Sequence, residues 1–118
     1  MTPDGFLADL EAKPTALAAL ADALDDVDWP VPRANRVMLT GMGSSWFAAE
    51  TAARRMRAAG VHATAELASA ETLCPPARDL TMVGITAGGT SPETLRHLDA
   101  HRGRSLAVAL TNSTQADL

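Results

Sequence analysis

The sequence predicts an α/β domain, a three-layer α-β-α arrangement on a parallel sheet of about four to five strands, preceded by an N-terminal helical arm. Three observations carry this prediction. Short apolar runs recur at 37–40 (VMLT), 61–67 (VHATAEL), 80–86 (LTMVGIT) and 105–110 (SLAVAL). Stretches with helical spacing at 44–59 and 91–101 fall between them, and glycine turns follow the first and third runs. Strands that alternate with helices at this spacing form right-handed crossover units, whose strands run parallel.

The arm occupies 1–35. Thr2 can cap a helix with Pro3 at its first position, and Leu17, Leu20, Ala21 and Leu24 recur every three or four residues. Pro14 is expected to interrupt and restart this pattern, and Pro30 and Pro32 end it, because proline lacks the amide that a continuing helix needs. The domain proper is expected at 36–118. Its helix at 44–59 places Ala48, Ala49, Ala52, Ala53, Met56 and Ala59 on one small face, suited to close packing on a sheet. Arg54 and Arg57 fall opposite that face and read as solvated. A further short helix is expected over 68–73 (ASAETL). The final run, SLAVAL, would expose an apolar sheet edge if nothing followed it, so the domain reads as stopped before its last strand and helix.

Length and composition narrow the function. The 118 residues suffice for one domain with a single core. Apolar residues make up 47% and aromatic residues 3%, so Leu, Val, Met and Ala must build that core. No apolar run approaches the roughly 20 residues of a membrane span, and the basic-then-apolar pattern of a signal peptide is missing, so a cytoplasmic location is expected. A net charge of −4 with scattered arginines speaks against nucleic acid as a partner. Cys74, the only cysteine, sits beside Pro75 and Pro76 and reads as a small apolar residue.

The first glycine turn, TGMGSSW (40–46), has the form of a strand opening into a helix. A dinucleotide-binding turn would need a third glycine where Trp46 stands, and a P-loop would need a lysine, yet Lys13 is the only one in the chain. Gly41 and Gly43 still allow a sharp turn and a close backbone approach, with Ser44 and Ser45 at a helix start whose amides and dipole favour an anion. The plainer alternative is that Ser44 simply caps the helix. The second turn, GITAGGTSPETL (84–95), repeats the arrangement: Gly88 and Gly89 turn, Ser91 caps, Pro92 opens the helix and Glu93 lies in its first turn. Ligands of open parallel sheets bind beyond the carboxyl ends of the strands, where both turns lie.

GMGSSWFAAETAARRMRAAGVHATAELASAE, LTMVGITAGGTSPETL and LAVALTN, in this order over 36–118, resemble the SIS (sugar isomerase) domain, a phosphosugar-binding family with flavodoxin-like winding. The helical arm is similar to the lead-in of tandem-SIS isomerases of the glucosamine-6-phosphate synthase kind, with this chain as the first domain of such a pair. The resemblance implies a sugar phosphate held by Gly43, Ser44 and Ser45 and by Thr86, Ala87, Gly88 and Ser91, with no cofactor and no metal. Thr86 matches a serine of the family's phosphate loop, Ala87 a glutamine, Gly88 a second serine and Ser91 a threonine. Two polar side chains of that loop are therefore absent. Ala70 stands where the family has a glutamate, with Glu71 next to it.

In the family the catalytic glutamate follows a fifth strand, and a lysine and a histidine come from the second domain or a neighbouring subunit, so no residue here is assigned a catalytic role. Within the chain, Glu93 reads as dipole stabilisation, His62 as a packed or surface histidine and Trp46 as helix–sheet packing. His97 and His101 have metal-sharing spacing but lack a third ligand. A part of a phosphosugar isomerase or deglycase is the leading expectation, a non-catalytic phosphosugar-sensing module the alternative. An exposed edge and an incomplete site together predict a homodimer.

Overall fold

The computed structural model describes residues 2–27 and 36–114, which fall into two units. The first is a single helix, α1 (Pro3–Asp25). Thr2 caps it, its hydroxyl accepting from the Gly5 amide at 3.1 Å. Pro14 does not break it: the helix runs through for 23 residues, contrary to the expected restart. A proline inside a helix removes one backbone bond and crowds the preceding turn, and the rest of the ladder carries α1 across. The expected break at Pro30 and Pro32 and the arm–domain boundary at 35 lie outside the described residues.

The second unit contains β1 (Arg36–Gly41), α2 (Ser44–Ala58), β2 (Ala63–Leu67), β3 (Leu80–Ile85), α3 (Pro92–His101) and β4 (Leu106–Leu110). The four strands form one parallel sheet in the order β2-β1-β3-β4. Successive side chains of a strand point to opposite faces, and here each face receives one helix. Val37 and Leu39 of β1 and Val83 of β3 cluster with Ala49 and Ala53 of α2. Met38 and Met82, paired in register across β1 and β3, lie on the opposite face with Leu80. Gly84 shares the Met82 face, and a Cβ there would meet Leu98 of α3 at 2.9 Å. The three layers are thus α2, sheet, α3.

The helix α2 packs through a narrower stripe than its spacing predicts. Ala49 and Ala53 are buried and Ala52 and Met56 half-buried, whereas Ala48 and Ala59 are exposed. Arg54 pairs with Glu50 one turn away, on the solvent side, at 3.4 Å. Arg57 is not merely solvated, since its guanidinium donates to the Ala63 carbonyl at 2.8 Å where β2 begins. At the same end of the sheet, Arg36 and Asp79 form a two-pronged ion pair with both contacts at 2.9 Å. The Arg36 hydrogen bond holds the Asp79 carboxyl below its ordinary pKa.

The expected helix over 68–73 does not form. Residues 68–79 run from β2 to β3 through turns and irregular chain. Cys74 and Ala77 of this segment cover Met38, Leu80 and Met82, and tertiary hydrogen bonds replace the helical ladder. The Ala77 amide donates to Ser105 Oγ at 2.9 Å, Ser105 Oγ lies 2.9 Å from His101 Nδ1, and His101 Nε2 lies 2.9 Å from the Cys74 carbonyl. A carbonyl only accepts, so Nε2 carries a hydrogen, and the serine hydroxyl is then free to donate to Nδ1. Every link of this relay has a partner.

Replacing Ser105 by alanine breaks the relay at its middle and leaves the Ala77 amide and His101 Nδ1 unpaired. Loss of about 1 to 3 kcal/mol is expected in urea unfolding, since each orphaned buried group carries its desolvation penalty. An unchanged midpoint and slope would show that the relay does not hold the segment.

Candidate functional site

Gly41 and Ile85 are paired in register as the last residues of β1 and β3, so the turns that follow leave the sheet side by side. Between them lies a cavity of about 320 Å³ lined by Met42, Gly43, Ser44, Ser45, Ile85, Thr86, Ala87 and Ser91. Six of the seven positions expected from sequence line it; Gly88 does not. Met42 and Ile85 were not anticipated, and only their adjacency to the glycine turn and to the strand end marks them.

The two halves of this cavity are built differently. Gly43 is the N-cap of α2, at φ +54° and ψ −128°, a conformation that a side chain disfavours. No side chain caps α2, so Ser44 is not the cap and the first turn opens toward the cavity. The Ser45 and Trp46 amides reach back to the Met42 and Gly43 carbonyls at 3.0 and 3.1 Å, tight-turn bonds of the kind that finish a helix end lacking a cap. Gly41 makes the close approach possible. A Cβ at that position would lie 2.8 Å from Ser45 Cβ and 3.0 Å from the Ile85 carbonyl oxygen. Trp46 is half-buried on the same helical face as Ala49 and Ala53.

The second half is held from below. The Thr86 amide continues the β3–β4 ladder to the Leu110 carbonyl at 3.0 Å, and the Ala87 carbonyl accepts from the Asn112 amide at 3.1 Å and the Thr111 hydroxyl at 3.2 Å. Gly89, buried at φ +71°, closes the turn onto the Thr86 carbonyl. Ser91 caps α3, accepting from the Thr94 amide at 3.5 Å, and its oxygen also lies 3.2 Å from Thr94 Oγ1 and 3.4 Å from Glu93 Oε2. Its hydroxyl is therefore already engaged within the first turn of α3. Glu93 sits where its charge complements the helix dipole.

The remaining titratable groups lie elsewhere. His62 is exposed beside β2, and Glu71 is exposed. His97 and His101 do not converge on a metal position: their Nε2 atoms address the Ala68 and Cys74 carbonyls at 3.1 and 2.9 Å. Burial raises the Cys74 thiol pKa, and the neighbouring Glu66 adds to the effect. A larger cleft, about 1010 Å³, opens at the other end of the sheet between residues 75–78 and 103–105. It lies between the loops that enter β3 and β4, with no helix start among its lining residues. The strand-end cavity is the better candidate because an uncapped helix terminus and two glycine turns converge there.

No family model matches the sequence, and a comparison with curated protein sequences finds no match. Solved structures do share its fold. The C-terminal domain of glucosamine-fructose-6-phosphate aminotransferase from Francisella tularensis superposes with a TM-score of 0.60 at 18% identity, over 71% of this chain and 25% of that one. Tagatose-6-phosphate ketose/aldose isomerase from Escherichia coli superposes with a TM-score of 0.63 at 23% identity, over 88% of this chain and 31% of that one. The chain thus spans about a quarter to a third of these proteins. Its three-layer fold is the SIS-type fold found in both.

Proposed function

We propose that this chain is a phosphosugar-binding SIS domain whose ligand's phosphate enters the cavity between 42–45 and 86–91. The observation that carries the reading is the convergence of the uncapped α2 terminus with the Thr86–Ala87 turn at the paired ends of β1 and β3. With the Ser45 and Trp46 amides turned back onto Met42 and Gly43, the terminus offers an anion the Gly43 and Ser44 amides and the helix dipole, and a cavity of about 320 Å³ accommodates the phosphate end of a six-carbon sugar. That one structural neighbour is named as a ketose/aldose isomerase of a sugar 6-phosphate and another as an aminotransferase of a 6-phosphate sugar supports this class of ligand.

We place the chain in a sugar-phosphate (aminosugar or fructosamine phosphate) isomerase or deglycase. A non-catalytic sensing module is the second reading, favoured by a specific observation. Ala87 and Gly88 provide no side-chain donor, and the Ser91 hydroxyl is committed to Thr94 and Glu93.

The ligand class is tested by thermal unfolding with glucosamine 6-phosphate, fructose 6-phosphate or tagatose 6-phosphate, against the unphosphorylated sugars and NAD. A sugar 6-phosphate at 100 times its dissociation constant adds about 2.7 kcal/mol of stability. A response to NAD alone, or to none of the phosphates, overturns the proposal.

The phosphate loop can be tested by restoring what it lacks. Gly88 has an ordinary backbone conformation, and a Cβ there meets only Thr90 Oγ1 at 3.6 Å, so Ala87→Gln with Gly88→Ser fits sterically. Ala87 lines the cavity and Gly88 does not, so the glutamine is the donor expected to reach the phosphate, worth about 0.5 to 1.5 kcal/mol, a two-fold or greater gain in affinity by calorimetry. Unchanged affinity would place the phosphate elsewhere.

Self-association belongs to the same proposal. In the described sheet β4 pairs only with β3, and Leu106 and Leu110 on it are more than a third exposed. A homodimer is expected in light scattering, and a monodisperse monomer at micromolar concentration contradicts it.

A further inference from the structure

His97 of α3 is fully buried, with Nε2 3.1 Å from the Ala68 carbonyl and Nδ1 without any partner among the described residues. Because the carbonyl only accepts, the hydrogen sits on Nε2 and Nδ1 is a bare acceptor. Ala68 is the first residue of the irregular β2–β3 segment, and its own amide donates to the Gly41 carbonyl at 3.1 Å. One residue therefore ties the segment to α3 on one side and to the end of β1 on the other. Four residues along α3, His101 holds the same segment at Cys74.

We propose that His97 is an acid-sensitive latch, whose protonation releases the 68–77 segment from α3 while the sheet stays folded. A proton on Nδ1 creates a buried, charged donor with nothing to receive it, a penalty relieved only by opening the contact to water. The charged and titratable groups acting on His97 are Glu66 of β2 and Arg96 and His101 of α3. The Glu66 carboxylate favours the proton, while Arg96 and His101 oppose it. Glu66 is already engaged by the Cys74 amide at 3.1 Å. Burial dominates and holds the His97 pKa below its ordinary value of 6.5.

The sign of the effect follows. At high pH the ring is neutral whether the latch is closed or open. As pH falls below 6.5 the open form takes up a proton before the closed form does, so opening is favoured until the closed form titrates as well.

The test is residue-level amide hydrogen exchange on the full chain from about pH 7.5 to about pH 5, corrected for intrinsic exchange, a window above the carboxylate range. Protection at Ala68, Ala70 and Cys74, whose amides are bonded in the closed form, is expected to fall by up to about tenfold per pH unit below 6.5. Amides of β1 and β3 should hold.

His97→Gln keeps a donor for the Ala68 carbonyl but cannot titrate, and its segment protection should be flat with pH. Equal loss in the wild type and His97→Gln overturns the latch, as does flat protection in the wild type or a fall shared by β1 and β3. Should His97→Gln fail to fold, the His97 ring resonance of the wild type decides. Titration below the ordinary histidine value supports the latch, and titration at or above it overturns it. None of these outcomes depends on what occupies the cavity at 42–45.

Discussion

Pairing of β1 with β3 is the constraint on which the site depends. Their register sets Gly41 against Ile85, so the two glycine turns leave the sheet at the same height and a few ångströms apart. The chain then departs in opposite directions, from β1 to the outer strand β2 and from β3 to β4. A crevice opens at such a switch point because neither connection crosses it. A one-residue slip would do more than shift the turns. It would carry Val37 and Leu39 to the α3 face and Met38 and Thr40 to the α2 face, exchanging both halves of the core. Core packing thereby fixes the geometry of the cavity.

Two missing side chains set how closely the helices approach. Gly41 on one face lets Ser45 of α2 sit over the strand end, and Gly84 on the other admits Leu98 of α3. These glycines belong to the paired strands and lie in the C-terminal half of the sheet, so both helices come closest near the cavity. Seating Leu98 also fixes its neighbour in sequence, His97, and, one turn on, His101. From those positions the two imidazoles reach the 68–77 segment, which covers the sheet where no helix does.

Much of this was legible in the sequence. The strand–helix alternation located all four strands and both domain helices to within about two residues, because apolar periodicity reports directly on which face is buried. Ser91 and Pro92 marked the start of α3 by local chemistry alone. Features set by distant residues were not legible. The 68–73 stretch has a helical composition, yet bonds from Ala68 and Cys74 to histidines 29 and 27 positions away determine its path. Ser44 looks like a cap, but Gly43 takes that position because the sharp turn after β1 needs a positive φ. Ala48 and Ala59 fit the small stripe of α2, but the helix lies over β1 and the outer strand β2 and touches them along a narrower line, so the stripe's margins stay in water.

The cavity is also unusual in what surrounds it. None of its lining residues is cationic, and the charged group adjoining it is Glu93, a carboxylate bound through Ser91 to the α3 terminus. An anion there would be held by amide dipoles and the helix end, acting over about one turn and at fixed orientation. Lysine or arginine, by contrast, attracts phosphate over longer distances and tolerates displacement. Such a site would recognise by position more than by charge, and its selectivity would rest on the Gly43 conformation and on the Thr111 and Asn112 contacts beneath Ala87. Glu93 strengthens the argument. Its carboxylate stabilises α3 but repels a phosphate approaching Ser91, so the 86–91 half contributes less attraction and the α2 terminus more. That asymmetry makes the turn at 42–45 the principal anion-binding element of the proposed site, with the second loop shaping the cavity's far wall.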